Sequence, residues 1–188
     1  MAEPLRILGI AGSLRRDSFN KAMLRAAAAL TPEGVVLETF DLEDIPLYNQ
    51  DIELSPPPRI RELKQRVKAA DAILFATPEH NFSVPAALKN AIDWVSRPHA
   101  ENAWAGKPAA IMGASIGKTA TARAQAHLRQ IFSYVDIHPI NKPAVMIGEA
   151  AQAFDAHGNL VDGRAKELIR QLLESLAAWT QRLQTLRS

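Results

Sequence analysis

The sequence contains no cysteine among its 188 residues. Without a thiol, the chain can form neither a disulfide nor a thiolate-ligated metal or iron–sulfur site, and it cannot use a cysteine nucleophile. The five histidines are scattered and show no metal-ligand spacing such as H-E-x-x-H, so we expect no metal site. Long apolar runs are also missing, because none approaches the roughly 18–20 residues needed to span a bilayer.

The chain also lacks a large excess of charge of either sign. Lysine and arginine number 22, and aspartate and glutamate number 20, which gives a formal net charge of +2. Because both signs are interspersed, we expect no nucleic-acid partner and no membrane partner. Residues 1–6 include an acid and a proline where a signal peptide would be basic and then apolar, so we expect a cytoplasmic protein.

The composition is typical of a globular protein. Hydrophobic residues make up 47% of the chain and charged residues 22%, whereas disordered chains are poor in the former and rich in the latter. At a typical domain size of about 100–200 residues, the length predicts a single domain over residues 1–188.

Short apolar segments alternate with segments of helical spacing along the chain. Apolar or alternating runs predict strands at residues 5–11, 35–40, 72–76, 108–112 and 144–147. Apolar residues at three- and four-residue intervals predict helices over residues 19–30, 60–70, 86–95, 121–134 and from 165 onward. This alternation indicates an α/β fold: an open, doubly wound, five-stranded parallel sheet with helices on both faces.

The loops that follow three of these strands form the candidate ligand site. Ligands of open parallel sheets bind beyond the carboxyl ends of the strands, where the loops open at Gly12, Thr77 and Gly113. The dinucleotide fingerprint G-x-G-x-x-G is absent after the first strand. Residues 113–119 are one residue short of a Walker-type phosphate loop, so neither familiar nucleotide motif applies.

The first loop joins a strand to a helix and is rich in hydrogen-bond donors. Backbone N–H groups at a helix start are unpaired and attract anions. Ser13, Ser18 and Asn20 add short polar groups, and Arg15 adds a guanidinium suited to phosphate oxygens. Together these groups predict a phosphate site. In the structural alternative, Ser18 only caps the helix, Asn20 lies in its first turn and Arg15 is solvated.

The second and third loops have features that suit a flat heteroaromatic ring. Two prolines fix the backbone at the ends of the second loop, and His80 or Phe82 offers a surface for packing. The third loop, residues 113–120, has glycine and short side chains that allow close approach of the backbone. The plainer interpretations are a stiff turn closed by Asn81 and an ordinary tight turn. The pattern alone therefore predicts a small phosphate-bearing ligand.

Several segments form a recognisable set of motifs. They are Gly12-Ser13-Leu14-Arg15…Ser18-Phe19-Asn20, Pro78-Glu79-His80-Asn81…Ser83…Pro85, Leu88-Lys89-Asn90-Ala91-Ile92-Asp93-Trp94, Gly113-Ala114-Ser115…Gly117, Arg123 and His127-Leu128-Arg129-Gln130. In this combination the sequence resembles the NADPH-dependent FMN reductase family, the flavodoxin-like group that contains the soluble quinone and chromate reductases. The resemblance covers nearly the whole chain.

The resemblance implies a flavodoxin-like fold with strand order 2-1-3-4-5, a bound FMN and a homodimer or homotetramer. It implies that the FMN phosphate is held by Ser13, Arg15, Ser18 and Asn20, with Phe19 beside them. It places the isoalloxazine ring against Pro78, Glu79, His80, Asn81 and Phe82, with Ser115 and Gly117 near the other side of the ring. The chain departs from the family pattern at two places. The family commonly has tyrosine where this chain has His80, and it commonly has a second glycine pair where this chain has Thr119-Ala120.

The resemblance also implies an activity. A reduced nicotinamide, from NADPH or NADH, delivers hydride to N5 of FMN and is replaced by a small-molecule electron acceptor such as a quinone, free flavin or metal oxyanion. This alternation implies ping-pong kinetics. Because the flavin supplies the reactive atom, we expect no catalytic side chain. Two alternatives stay open: an electron carrier that does not itself oxidise NAD(P)H, and a flavin-free phosphatase or kinase.

Three further residues receive structural interpretations. Glu79 is expected to be a solvated loop carboxylate rather than a general base, since the sequence shows no partner for it. His127 and Arg129 lie on a predicted helix and are expected to serve packing or a subunit contact.

Overall fold

The computed structural model describes residues 3–186, and its strands and helices alternate as the sequence predicts. The strands are β1 (Leu5–Ala11), β2 (Val35–Phe40), β3 (Ala72–Ala76), β4 (Pro108–Ala114), β5 (His138–Pro139) and β6 (Val145–Ile147). The helices are α1 (Phe19–Ala28), α2 (Pro58–Ala69), α3 (Ala86–Val95), α4 (Ala122–Val135) and α5 (Gly163–Thr185).

The sheet is parallel throughout and has the order β2-β1-β3-β4-β5. β1 lies between β2 and β3, so that Ile10 is opposite Phe40 on one side and Phe75 on the other. This order confirms the flavodoxin-like fold. The chain reverses its direction of winding between β1 and β3, and ligands of open sheets bind at the carboxyl side of such a switch point.

The edge of the sheet beyond β4 differs from the prediction. The sequence predicts one fifth strand at residues 144–147, but two short strands, β5 and β6, occupy this position. β5 pairs with the start of β4 at Pro108 and Ala109, and β6 pairs with its end at Met112 to Ala114. Pro139 and Pro143 interrupt the segment, and a proline has no backbone N–H to give to a continuous ladder.

The hydrophobic core consists of two layers, one on each face of the sheet. α1 and α5 cover one face, where Leu74 of β3 is buried with Leu173 of α5. α2, α3 and α4 cover the other face, where Phe75 is buried with Phe132 of α4. Consecutive strand residues thus point to opposite faces, as the period of two requires. Burial of each such side chain contributes about 1.5–3 kcal/mol to the free energy of unfolding.

The long carboxyl-terminal helix follows its predicted pattern. Its buried residues include Ile169, Leu172, Leu173 and Leu176, which recur at three- and four-residue intervals and form one stripe. The Asp162 side chain caps its start by accepting a hydrogen bond from the Ala165 N–H at 2.6 Å.

Between residues 3 and 186, no helix is both long enough and apolar enough to span a bilayer. Over the same residues, histidine, aspartate and glutamate side chains form no group of three or more that could hold a metal ion.

Candidate functional site

The three candidate loops lie side by side at the carboxyl edge of the sheet. The Gly12 N–H, where the first loop begins, donates to the Ala76 carbonyl at the end of β3 at 2.9 Å. The Thr77 N–H donates in turn to the Met112 carbonyl of β4 at 2.9 Å. The parallel ladder therefore continues for one residue past β1 and β3 and fixes the origins of the loops relative to one another.

Ser18 of the first loop caps α1, which is the role that the sequence offered as the alternative to phosphate binding. Its Oγ accepts hydrogen bonds from the N–H groups of Asn20 and Lys21 at 3.2 and 3.4 Å, and the residue is buried. A hydroxyl has one donor in addition to two acceptor lone pairs. Capping uses the lone pairs and leaves the O–H of Ser18 available to donate, so capping and anion binding are compatible at this residue.

Asn20 connects the first loop to the third. Its Nδ2 donates to the Ala114 carbonyl, and its Oδ1 accepts from the Ala114 N–H, both at 3.0 Å. Only 3% of the residue is exposed. The side chain thus bonds the backbone at the end of β4, a structural role that the resemblance did not indicate. Sequence reasoning could not pair these residues, because they are 94 positions apart.

The remainder of the first loop presents donors to solvent. Arg15 is exposed, and its Nη2 donates to the Asp17 carbonyl at 2.5 Å. The Ser13 Oγ accepts from the Arg15 N–H at 3.3 Å. Among residues 3–186, no acceptor is found for the backbone N–H groups of Leu14 and Arg16. Hydroxyls, a guanidinium and free N–H groups together match the oxygens of a phosphate dianion.

Phe19 opens α1 and belongs to the same surface. Its ring lies 5.0 Å from the ring of Phe154, centroid to centroid, and the Arg15 guanidinium carbon lies 5.9 Å from the Phe19 ring centroid. Phe19 therefore links the loop to the core and limits the positions open to Arg15.

The second loop contains a two-residue β-hairpin. The His80 N–H donates to the Ser83 carbonyl at 3.0 Å, and the Ser83 N–H donates to the His80 carbonyl at 2.9 Å. The two residues between them, Asn81 and Phe82, have φ values of 48° and 63°. Tight hairpins of this type need positive φ at both central residues, which asparagine tolerates and glycine favours. A phenylalanine in this conformation is strained.

The hairpin exposes both polar and aromatic groups. Within the described part of the chain, the backbone N–H groups of Asn81 and Phe82 have no hydrogen-bond acceptor. The Phe82 side chain is on the surface, with 66% of the residue exposed. Free N–H groups beside an aromatic surface can hydrogen-bond and pack against a flat ring that carries carbonyl and imine acceptors. The turn is closed by His80 and Ser83, not by Asn81.

Glu79 corrects one expectation, because its carboxylate is neither solvated nor without partners. Only 7% of the side chain is exposed. Oε2 accepts from the N–H groups of Arg123 and Ala124 at 2.8 and 3.1 Å, and Oε1 accepts from Arg123 Nη1 at 3.1 Å. Burial by itself would raise the pKa of Glu79, but the hydrogen bonds from Ala124 and Arg123 outweigh it and hold the pKa below its ordinary value of 4.5.

Arg123 and His127 of α4 complete the contact with the hairpin. The guanidinium carbon of Arg123 lies 3.9 Å from the centroid of the Phe82 ring, a cation–π contact. His127 Nδ1 lies 2.9 Å from the Ser83 Oγ, within hydrogen-bond distance. His127 therefore contacts the second loop of its own chain. Arg129 faces elsewhere and donates to the Ile140 carbonyl at 3.0 Å. Parallel strands bring the loop after β3 next to the start of α4. A carboxylate in that loop and an arginine at that helix start are therefore the sequence signal that could have indicated this contact.

The third loop begins with a backbone contact that only glycine permits. A Cβ on Gly113 would lie 2.4 Å from both the Thr77 carbonyl oxygen and the Thr121 Oγ1. Beyond it, the Ser115 N–H donates to the Ile147 carbonyl at 3.0 Å, and the Ser115 Oγ accepts from the Gly117 N–H at 3.3 Å. The loop is thus fixed to β6, and the Ser115 side chain closes a local turn at Gly117.

Comparisons with known proteins agree on one family. The family model described as NADPH-dependent FMN reductase matches residues 5–152. An NAD(P)H-dependent FMN reductase of Pseudomonas aeruginosa is 52% identical over 184 residues, which covers 97% of this chain and 99% of that protein. An NADPH:quinone oxidoreductase of Arabidopsis thaliana is 48% identical over 187 residues, with 96% and 94% covered. The solved structure of FerB, a flavoenzyme NAD(P)H:(acceptor) oxidoreductase of Paracoccus denitrificans, matches with a TM-score of 0.84 at 34% identity, covering 95% of this chain and 98% of FerB.

Proposed function

The chain belongs to the family of NADPH-dependent FMN reductases, and on that premise we propose that it is an FMN-dependent NAD(P)H oxidoreductase acting on quinones or similar small acceptors. The observation that carries the proposal is the placement, at one sheet edge, of a loop with phosphate donors beside a hairpin with free N–H groups. The donors of the first loop suit the phosphate end of FMN, and the free N–H groups of the hairpin suit its ring.

Residues of the first loop bind the phosphate in this proposal. The guanidinium of Arg15, the hydroxyls of Ser13 and Ser18, and the free N–H groups of the loop would donate to the phosphate oxygens. Asn20 contributes by fixing the loop to β4, and Phe19 by packing beside Arg15.

Residues of the other two loops bind the flavin ring. The rigid backbone from Pro78 to Phe82 would hydrogen-bond and pack against one edge of the ring through its backbone and the side chains of His80, Asn81 and Phe82. Glu79 takes part through its backbone, because its carboxylate is bonded to α4. Ser115 and Gly117 would line the other side.

The protein's contribution to the reaction is binding, orientation and electrostatics. When bound, FMN supplies hydride acceptance from the reduced nicotinamide and electron delivery to the acceptor. The free N–H groups of Asn81 and Phe82 would stabilise negative charge that develops at the ring edge. The two hydroxyls of the first loop, Ser13 and Ser18, contact phosphate and do not act as nucleophiles.

One site that serves both substrates in turn leads to ping-pong kinetics. Initial rates measured with NADPH and a quinone both varied should give parallel double-reciprocal lines, and intersecting lines would contradict alternate binding. NADPH consumption by the purified protein without an added reductase separates this function from that of an electron carrier. A protein that binds FMN but consumes no NADPH or NADH would be such a carrier.

We also propose that the single domain assembles into a homodimer or homotetramer. Leu47 and Leu54, in the segment between β2 and α2, are 80% and 85% exposed, and Tyr134 on α4 is 75% exposed. Contiguous exposed apolar patches mark interaction surfaces, so these three side chains are the ones that we propose for the subunit contact. The mass in solution, measured by light scattering, tests the proposal, and a monomer at micromolar concentration would contradict it.

A further inference from the structure

We propose that Glu79 is a positioning residue, which fixes the hairpin of residues 80–83 against the start of α4 and thereby sets where the hairpin meets the flavin ring. The identity of the ring rests on the proposed function, whereas the contacts that fix the hairpin are observed in the protein itself.

The start of α4 lacks a cap of its own. Thr121 occupies the N-cap position, but its side chain makes no capping hydrogen bond and instead accepts from Gln125 Nε2 at 3.1 Å. The N–H groups of Arg123 and Ala124 are bonded by Glu79, 44 and 45 residues earlier in the chain. A carboxylate at a helix N-terminus is favoured both by these hydrogen bonds and by the helix dipole. Glu79 therefore caps α4 from another loop.

The same carboxylate orients the guanidinium that covers the hairpin. Oε1 of Glu79 and the Thr119 Oγ1 accept from Nη1 of Arg123 at 3.1 and 3.3 Å, and the guanidinium lies over the Phe82 ring. Phe82 is in a backbone conformation that costs free energy, and such conformations persist only where neighbouring contacts determine them. Glu79, Arg123 and the bond between Ser83 and His127 are those contacts.

Glu79 acts through these groups rather than on a substrate. Three donors occupy its two oxygens, and only 7% of the side chain is exposed. A carboxylate in this state is poorly placed to take up a proton from a ligand. Displacing the hairpin by even about 1 Å would nevertheless matter, because misplacement on that scale can reduce a rate by roughly 100-fold.

The variant Glu79→Gln tests the proposal. Its single amide oxygen can still accept from the backbone of α4, but its NH₂ group then faces the Arg123 guanidinium, donor against donor. We expect FMN to remain bound with an affinity within about threefold of the parent, because the phosphate end is unaltered. We expect the visible circular dichroism of the bound FMN to change and kcat/KM for NADPH to fall roughly 10- to 100-fold.

The matched control is Asp71→Asn at the opposite edge of the sheet. Asp71 also accepts a backbone hydrogen bond from another element, from the Arg6 N–H at 2.8 Å, and a second from Gln184 Nε2 at 3.2 Å. Its replacement should leave the circular dichroism of bound FMN and kcat/KM unchanged. An equal change in both variants would make the effect of Glu79→Gln a general loss of stability and would overturn the proposal.

A second variant keeps the test decisive if Glu79→Gln does not fold. Arg123→Met keeps the Glu79 cap on the α4 backbone and removes only the guanidinium over Phe82. It should change the same dichroism signal, and in the double variant the two rate losses should not multiply, since both disrupt one contact. Wild-type dichroism and kinetics in Glu79→Gln, or in Arg123→Met where the former does not fold, would refute the positioning role alone. Failure of the parent protein to bind FMN would refute the proposed function.

Discussion

Phe82 has a backbone conformation that favours glycine, and its side chain is largely in solvent, where a large apolar residue is not needed for packing. Its φ of 63° is unfavourable for a bulky residue, and 66% of the residue is exposed. Neither core packing nor turn geometry accounts for it. Strain of this kind concentrates at functional sites, which agrees with the place of the hairpin beside the proposed ring site.

The strain at Phe82 predicts an unusual order of stability among its variants. Phe82→Gly and Phe82→Ala both remove the ring and its cation–π contact, but only alanine keeps a Cβ at positive φ. We therefore expect the glycine variant to exceed the alanine variant in unfolding free energy by about 1 kcal/mol. Urea denaturation of the two proteins measures this difference. Equal stability, or a more stable alanine variant, would mean that the backbone is not strained here.

Arg15 has a neighbour that serves as its control. Arg15→Ala should weaken FMN binding by about 1.5–3 kcal/mol, because a charge-assisted hydrogen bond to the phosphate is lost. Arg16→Ala removes the same charge from the next exposed position and should change the dissociation constant less than about threefold, since long-range effects of exposed charges are screened. Fluorescence titration of FMN reports both values. Equal losses would assign the effect to net charge and not to a contact.

Glu79 makes the stability of the protein depend on pH in acid. Its carboxyl pKa is lower in the folded protein than its ordinary value of 4.5, so folding favours the ionised form. The resulting stabilisation is complete above pH 4.5 and is lost as the pH falls through the folded-state pKa. The unfolding free energy of Glu79→Gln should therefore fall less steeply than that of the parent below pH 4.5. Parallel curves in urea denaturation would show that the Glu79 carboxylate is not stabilised by folding.

At the scale of single residues, the sequence predicted donors but not their partners. Ser18 as helix cap follows from local sequence alone, because the N–H groups that donate to it lie two and three residues away. The partners of Asn20 and Glu79 are 94 and 44 residues distant, and only the parallel order of the strands brings them together. The residue types in each loop were therefore predictable from the loop itself, whereas the cross-loop bonds required the order of the strands as well.

At the scale of elements, the first three strands were the most predictable parts. β1, β2 and β3 have the predicted bounds, since a short apolar or alternating run fixes both ends. β4 extends two residues past the predicted end at Met112, because β6 provides partners for Gly113 and Ala114. β5 has only two residues, too few for any periodicity to indicate.

The bond between α1 and β4 gives a prediction at the element scale. Asn20→Ala removes two buried hydrogen bonds, one to the N–H and one to the carbonyl of Ala114. We expect the unfolding free energy to fall by about 1–3 kcal/mol, with a weaker affinity for FMN because the first loop loses its connection to the third. Asn159→Ala is the control, since the residue is exposed and, among residues 3–186, its side chain bonds only the Asp155 carboxylate. Similar losses of unfolding free energy in the two variants, measured by urea denaturation, would show that the α1–β4 connection does not contribute more than an exposed hydrogen bond.

At the scale of the whole molecule, the alternation of strands and helices determined the fold class before any motif was considered. The order of the strands did not follow from that alternation, because several doubly wound orders satisfy it. It followed from the resemblance, and the pairing of β1 with both β2 and β3 confirms it. The loops after β1, β3 and β4 become one surface only through this order.

Because the proposed ligand contacts loops from three strands, its binding should stabilise the entire domain. At FMN concentrations 100 times the dissociation constant, the gain is about 2.7 kcal/mol, and a domain of this size responds with roughly 5–11 °C in Tm. Riboflavin has the same ring but no phosphate, so it cannot use Arg15, Ser13 or Ser18 as an anion would. If its affinity is about 100-fold lower, the same concentration yields only about 0.4 kcal/mol, or roughly 1–2 °C. Calorimetric scans with each ligand provide the comparison. Equal protection by riboflavin would show that the first loop does not bind the phosphate. Protection by neither ligand would show that FMN does not bind at this surface.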